Sequence, residues 1–241
     1  MNLLELEHAS KRYGRGSQER VALRDVSLEL EPGELVAVWG RRRSGRSTLL
    51  RVVAGLEAPD AGVVRFEGRD LNDRRAEAVR DGIRYCRKAF RSAGGQYVLD
   101  QLVTGQLTRG TSPSSARSRA HDALARTGAE QCAGLRPSEL DNAEVVRVAI
   151  ARAIAHQPRL LVIDEPTLGV DLAGHAQIVS LLRSLADDGM AVLTSAVETT
   201  GLAGADRALS LSKGELRGEL TTAPVAPVVP LRAAAGWSAR S

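Results

Sequence analysis

Two adjacent carboxylates, Asp164 and Glu165, directly follow an apolar stretch at residues 160–163 that is typical of a buried strand. Far upstream, a second apolar stretch at 34–38 runs into a loop at 39–48 that is rich in glycine, serine and arginine. A strand, a loop and a helix in this order point backbone N–H groups at an anion. Carboxylates that end another strand can hold Mg²⁺ and polarise a water molecule. Together these segments predict a nucleotide-binding site.

The loop at 39–48 has the layout of a P-loop, with one departure. Arg46 stands where such a loop normally carries its phosphate-binding lysine. Arginine keeps the positive charge but replaces a compact ammonium with a broad planar fork. We therefore expect phosphate binding to survive in weakened form.

Strands alternate with helices along the chain, which favours a parallel α/β sheet. The segment at 88–140 is rich in serine, arginine and alanine and has helical spacing, which indicates a helical lobe inserted between core segments 1–87 and 141–220. A proline- and alanine-rich tail at 221–241 is expected to be mobile. Strands are predicted at 3–8, 26–30, 34–38, 160–163 and 191–193, and helices at 46–54, 98–107, 115–126, 145–155 and 176–186.

Composition excludes several other classes of protein. The chain has 241 residues and 43% hydrophobic content, which suits one sizeable core. Its apolar runs are shorter than the roughly 18 residues of a membrane span, and the first residues lack a signal pattern, so we expect a cytoplasmic protein. The net charge of +4 is spread along a chain with only 3% aromatic residues, which disfavours nucleic acid as a partner. Cys86 and Cys132 are expected to be buried, without a metal.

The succession of motifs resembles the ATP-binding subunits of ABC transporters. No single motif would suffice, because a P-loop is common to many NTPases. The resemblance covers roughly residues 3–217 and implies a P-loop NTPase (RecA-like) core with an N-terminal antiparallel β subdomain and an inserted α-helical lobe. It rests on the segments 22–40, 47–68, 136–140, 147–171 and 205–216.

The resemblance also implies roles for individual residues, with ATP and Mg²⁺ as cofactors. Ser47 and Asp164 correspond to Mg²⁺ ligands, and Glu165 to the base that orients the attacking water. Tyr13 corresponds to an aromatic residue that stacks on adenine, and Asp171 to the D-loop aspartate that faces a second subunit. The phosphate-binding positions are Gly40, Arg43, Ser44, Gly45, Arg46, Ser47 and Thr48.

Four departures from the family pattern predict altered catalysis. In the P-loop, Arg43 replaces a glycine in addition to the change at position 46, and a positive φ there would cost about 1–2 kcal/mol. The Q-loop glutamine of the family falls near Arg87 or Lys88, where no glutamine is in register, and no histidine stands near 196–197, where the switch histidine belongs. The signature loop, usually Leu-Ser-Gly-Gly-Gln, reads Leu140, Asp141, Asn142, Ala143 and Glu144.

Asp141 would place a carboxylate against the γ-phosphate held by a facing subunit. Two like charges about 4 Å apart repel by about 1–4 kcal/mol, which opposes closure of a dimer. The chain's four histidines, including His175, fall elsewhere and suit strand or helix-surface positions.

Two functions remain open at this stage. The first is an ATPase subunit that works with an integral-membrane permease on the inner face of the cell membrane, in a homodimer or heterodimer of ATP-binding subunits. The second is a pseudo-ATPase that acts as a nucleotide-responsive partner of a membrane complex. Direction of transport is also open, since the loop at 14–20 resembles exporters and lipoprotein-release systems, whereas the segment at 165–174 is similar to sugar importers.

Overall fold

The computed structural model describes residues 2–15, 18–72, 82–87 and 95–220. The predicted tail and Lys88 lie outside these ranges. The strands are β1 (Leu4–Tyr13), β2 (Arg20–Leu30), β3 (Leu35–Trp39), β4 (Ala61–Phe66), β5 (Arg69–Asp70), β6 (Ile83–Arg87), β7 (Leu160–Asp164), β8 (Ala191–Ala196), β9 (Arg207–Ser212) and β10 (Glu215–Leu220). The helices are α1 (Arg46–Val53), α2 (Val98–Leu107), α3 (Pro113–Arg126), α4 (Asn142–Ile154) and α5 (Leu172–Asp187), with 3₁₀ turns at Glu130–Cys132, Pro137–Glu139 and Thr199–Leu202.

An antiparallel sheet of four strands, in the order β2-β1-β4-β5, forms the N-terminal part of the fold. Alternate residues of β2, such as Val26, Leu28 and Leu30, are buried, because successive side chains of a strand point to opposite faces. This sheet confirms the predicted antiparallel subdomain.

A sheet of six strands, in the order β10-β9-β3-β8-β7-β6, forms the central layer. Its neighbouring strands run parallel except for the β9–β10 hairpin. β7 and β8 are almost wholly buried, as expected for parallel strands covered on both faces. Since β8 lies between β3 and β7, the loops that follow β3 and β7 start about 10 Å apart at one edge of the sheet.

Helices α2 and α3 pack on each other and on α4. Leu102 of α2 and Leu124 of α3 belong to the same buried cluster as Ile150 of α4, so this lobe shares a core with the rest of the chain. The bounds of α2 are those predicted from the sequence, and both cysteines are buried as predicted.

Three helices begin earlier than the sequence predicts, for the same physical reason. Ser112 accepts a hydrogen bond from the Ser115 N–H, and α3 starts two residues before position 115. Asp141 accepts a hydrogen bond from the Glu144 N–H, and α4 therefore starts three residues before position 145. Asp171 accepts from the Gly174 N–H, and α5 starts four residues before position 176. Across the described ranges, no helix is long and apolar enough to cross a membrane.

Candidate nucleotide-binding site

The loop after β3 turns sharply into α1 at Gly45. Gly45 has φ 112° and caps the helix without a side chain, which leaves the first N–H groups of α1 open toward an anion. A Cβ at this position would overlap the carbonyl oxygen of Ala22, so the loop requires glycine here. Arg43 has φ 65°, the left-handed conformation that its glycine-like position suggested. The loop thus has the geometry of a phosphate cradle.

Five arginines line a cavity of about 330 Å³ in front of this loop, and Glu165 is the one carboxylate among its described lining residues. Arg20 comes from the start of β2 and holds the loop by donating to the Arg43 carbonyl oxygen at 3.1 Å. The other four arginines are Arg41, Arg42, Arg43 and Arg46. The cavity is also lined by the predicted positions Ser44, Gly45, Ser47 and Thr48.

Arg46 forms an ion pair with Glu165 across the cavity. Its Nη2 donates to Glu165 Oε1 at 2.7 Å, and the arginine side chain is only 5% exposed. Its Nε and Nη1 atoms and the Ser44 hydroxyl are buried and have no hydrogen-bond partner among the described residues. The site therefore presents unused donors where a polyanion would lie, while the candidate catalytic carboxylate is held by Arg46.

Asp164 does not line this cavity. Its carboxylate is hydrogen-bonded to two residues that also do not line it. Ser195 Oγ, at the end of β8, donates to Asp164 Oδ1 at 2.6 Å and accepts from the Glu165 N–H at 3.0 Å. The Tyr85 hydroxyl donates to the other oxygen of Asp164 at 3.4 Å. Glu165 itself has φ 48°, a strained conformation that the hydrogen bond from its N–H to Ser195 Oγ helps to hold. Ser195 was missed in the sequence, where its one signal is a hydroxyl at the end of an apolar strand.

Tyr13 lies beside the cradle at the end of β1. Its hydroxyl accepts from Arg51 of α1 at 3.1 Å and lies 3.4 Å from the Thr48 hydroxyl. The side chain is 36% exposed and does not line the arginine cavity. Its predicted contact with adenine stays a prediction.

A protein-family model for the ABC transporter family matches residues 23–168, which is more than half of the chain. The chain belongs to the ABC transporter family. A solved dimer of an ATP-binding cassette, in a post-hydrolysis state with ADP and phosphate, is similar with a TM-score of 0.82 and 27% identity over 90% of this chain and 97% of that one. The predicted family and the predicted P-loop NTPase fold are thus confirmed.

Similar curated members of the ABC transporter family include export, release and import proteins. The lipoprotein-releasing ATP-binding protein LolD of Maricaulis maris is 37% identical over 89% of this chain and 96% of its own length. The aliphatic sulfonates import ATP-binding protein SsuB of Ralstonia nicotianae is 34% identical over 88% and 70%. The macrolide export ATP-binding/permease protein MacB of Pectobacterium atrosepticum is 31% identical over 92% of this chain but 35% of its own length, so the chain spans about a third of that relative.

The predicted signature segment at 140–144 is not among the described residues that line the arginine cavity. Asp141 caps α4 in a box with Glu144, whose side chain accepts from the Asp141 N–H at 3.0 Å. Asn142 Nδ2 donates to the Gly169 carbonyl oxygen at 2.9 Å, which ties this segment to the loop before Asp171. Asp141 is thus a good helix cap, and its carboxylate has a local structural role in this chain.

A second cavity of about 290 Å³ also borders Glu165. Ala196, where the family's switch histidine was expected, lines it together with His175 from α5. The His175 Nε2 atom is buried and has no hydrogen-bond partner within the described ranges. Sequence reasoning placed this histidine on a helix surface, because nothing in the sequence brings α5 beside Glu165.

Proposed function

We propose that this chain is the ATP-binding subunit of an ABC transporter, and that it couples ATP binding and slow hydrolysis to transport through a separate permease. The observation that carries the proposal is the cavity in front of the Gly45 turn, which combines an open helix N-terminus, unused guanidinium donors and Glu165. A triphosphate supplies the oxygens that these donors lack.

Slow turnover follows from the Arg46–Glu165 ion pair. A general base needs a carboxylate oxygen within hydrogen-bond reach of the attacking water. Glu165 Oε1 already accepts a charge-assisted hydrogen bond from Arg46, so water and arginine compete for the same group. Bound phosphate competes with Glu165 for Arg46, so only part of the nucleotide-bound population has a free carboxylate and hydrolysis is slow.

Mg²⁺ fits the site as a companion of the nucleotide. Ser47 lines the cavity, and within the described ranges Asp164 Oδ2 accepts one long hydrogen bond, from Tyr85, so it retains lone pairs for a cation. These two residues are the proposed ligands. When bound, the ion would supply charge neutralisation at the phosphoryl oxygens during hydrolysis.

The proposed partners are a membrane permease and a second ATP-binding subunit, with the complex on the inner face of the cell membrane. The similarity to LolD, SsuB and MacB supports this assembly. Asp141 favours a heterodimer, because it would then oppose only the nucleotide of the partner subunit, whereas a homodimer would carry the penalty at both sites. The proposed permease-docking surface is the groove between the core and the lobe at 88–140.

A pseudo-ATPase is the second candidate function. It is favoured by Ala196 at the position expected for the switch histidine and by the engagement of Glu165 with Arg46. In that case ATP binding alone would change the state of the membrane complex.

The test is co-expression with each adjacent gene product that has several predicted membrane spans, followed by fractionation and measurement of phosphate release. We expect the chain to move to the membrane fraction and to release phosphate slowly in a Glu165-dependent manner. Membrane association without any Glu165-dependent release would favour the pseudo-ATPase. A chain that stays in the supernatant with every adjacent gene product would contradict the transporter subunit.

A further inference from the structure

The charge of the arginine cavity exceeds what a magnesium–nucleotide complex requires. Its described lining residues include five arginines and a single acidic residue, Glu165. Asp164 does not line the cavity and is hydrogen-bonded to Ser195. The cavity is therefore strongly positive before any metal is bound, and a further cation entering it meets repulsion.

The donors of this cavity suit phosphate oxygens directly. Arg46 is buried, and two of its three guanidinium nitrogens lack partners within the described structure. The guanidinium fork binds phosphate oxygens in a bidentate manner, which a lysine ammonium cannot do. Arg41 and Arg42 also line the cavity and are exposed, so they add positive charge around the same ligand.

We propose that this site binds the metal-free, fully ionised triphosphate chain of a nucleotide at least as tightly as its magnesium complex. The arginines take over the charge neutralisation that Mg²⁺ otherwise supplies for binding. This inference rests on the proposed function, because it deepens the assignment of the cavity as the ATP site. It concerns affinity, and leaves the proposed part of Mg²⁺ in hydrolysis unchanged.

The test is calorimetric titration of the full chain with ATP, once in excess MgCl₂ and once in EDTA, with inorganic tripolyphosphate and adenosine as further ligands. We expect ATP in EDTA to bind as tightly as, or more tightly than, ATP in MgCl₂. Tripolyphosphate should compete with ATP in EDTA, and adenosine should bind far more weakly, because the contacts are to phosphate.

Two variants locate the effect. Arg46→Lys should weaken binding in EDTA by about tenfold or more, the loss expected for one hydrogen bond to a charged group, with a smaller change in MgCl₂. Arg42→Gln changes an exposed residue and should not disturb folding. It should also weaken ATP binding in EDTA more than ATP binding in MgCl₂. The matched control is Arg65→Gln, since Arg65 pairs with Glu7 on the four-stranded sheet and should leave both affinities unchanged.

The outcomes separate this inference from the proposed function. Binding of ATP only in MgCl₂ would overturn the inference and leave the ATP site in place. Absence of ATP binding in both buffers would overturn both. Equal losses for Arg42→Gln and Arg65→Gln would also overturn the inference, because the effect would then reflect overall charge.

Discussion

Replacing Glu165 with glutamine tests whether its ion pair with Arg46 holds the nucleotide-free site together. The two side chains meet at 2.7 Å, with Arg46 5% and Glu165 25% exposed. A hydrogen bond to a charged group contributes about 1.5–3 kcal/mol, but the glutamine amide oxygen still accepts and solvent reaches the acidic partner. We therefore expect Glu165→Gln to lower the free energy of unfolding by about 1 kcal/mol, which corresponds to about 2–4 °C in Tm for a chain of this size.

The same substitution should raise the affinity for ATP. Phosphate competes with Glu165 for Arg46, and the Glu165 carboxylate repels the phosphate, so removing this negative charge favours binding by a similar amount. An effect of about 1 kcal/mol corresponds to about fivefold in Kd. Chemical unfolding and thermal melts with and without ATP measure both quantities on one sample.

The matched control is Glu198→Gln, which removes the same charge from an exposed residue near the neighbouring cavity. It should change neither stability nor ATP affinity appreciably. Unchanged stability in Glu165→Gln, or weaker ATP binding, would refute the inhibitory ion pair.

Three further substitutions probe the cradle turn, the histidine that follows α4 and the predicted signature segment. Gly45→Ala should destabilise by about 1–3 kcal/mol more than Gly68→Ala in urea unfolding, because both have positive φ but only Gly45 would overlap a backbone carbonyl; equal losses would contradict the packing at the turn. Burial and nearby arginines lower the pKa of His156 from 6.5 to about 4, so the unfolded chain binds more protons between these pH values and stability falls as the pH drops through them. After allowance for screening, this loss of stability is about 1–2 kcal/mol. Urea titrations at several pH values should show that His156→Gln reduces the loss and that His121→Gln does not. Asp141→Ala should cost about 1 kcal/mol of stability and Asp141→Ser much less, since serine also caps a helix; equal effects in thermal melts would contradict the capping role.

The sequence predicts the layout of the core because its signals are local. The glycine-rich loop between a buried strand and a helix is defined by neighbouring residues, and helix α2 is bounded as predicted. The starts of α4 and α5 were missed because Asp141 and Asp171 were interpreted through the family motifs, although each also caps a helix. One residue can both cap a helix and occupy a motif position, and recognising the motif does not reveal the cap.

The contacts that shape the candidate site could not be predicted, because they join distant parts of the chain. Arg46 and Glu165 are 119 positions apart and meet because β3 and β7 end at the same edge of the sheet. Ser195 reaches Asp164 only because β8 lies between those strands. Burial of the His175 Nε2 atom likewise depends on how α5 packs.

The most direct test of the account is steady-state phosphate release by the purified complex of this chain and the proposed permease, compared among wild type, Arg46→Lys and Glu165→Gln. We predict a slow rate in wild type, a faster rate in Arg46→Lys, which frees the carboxylate, and loss of activity in Glu165→Gln. Rapid release by the isolated chain, unaffected by either substitution, would contradict the account.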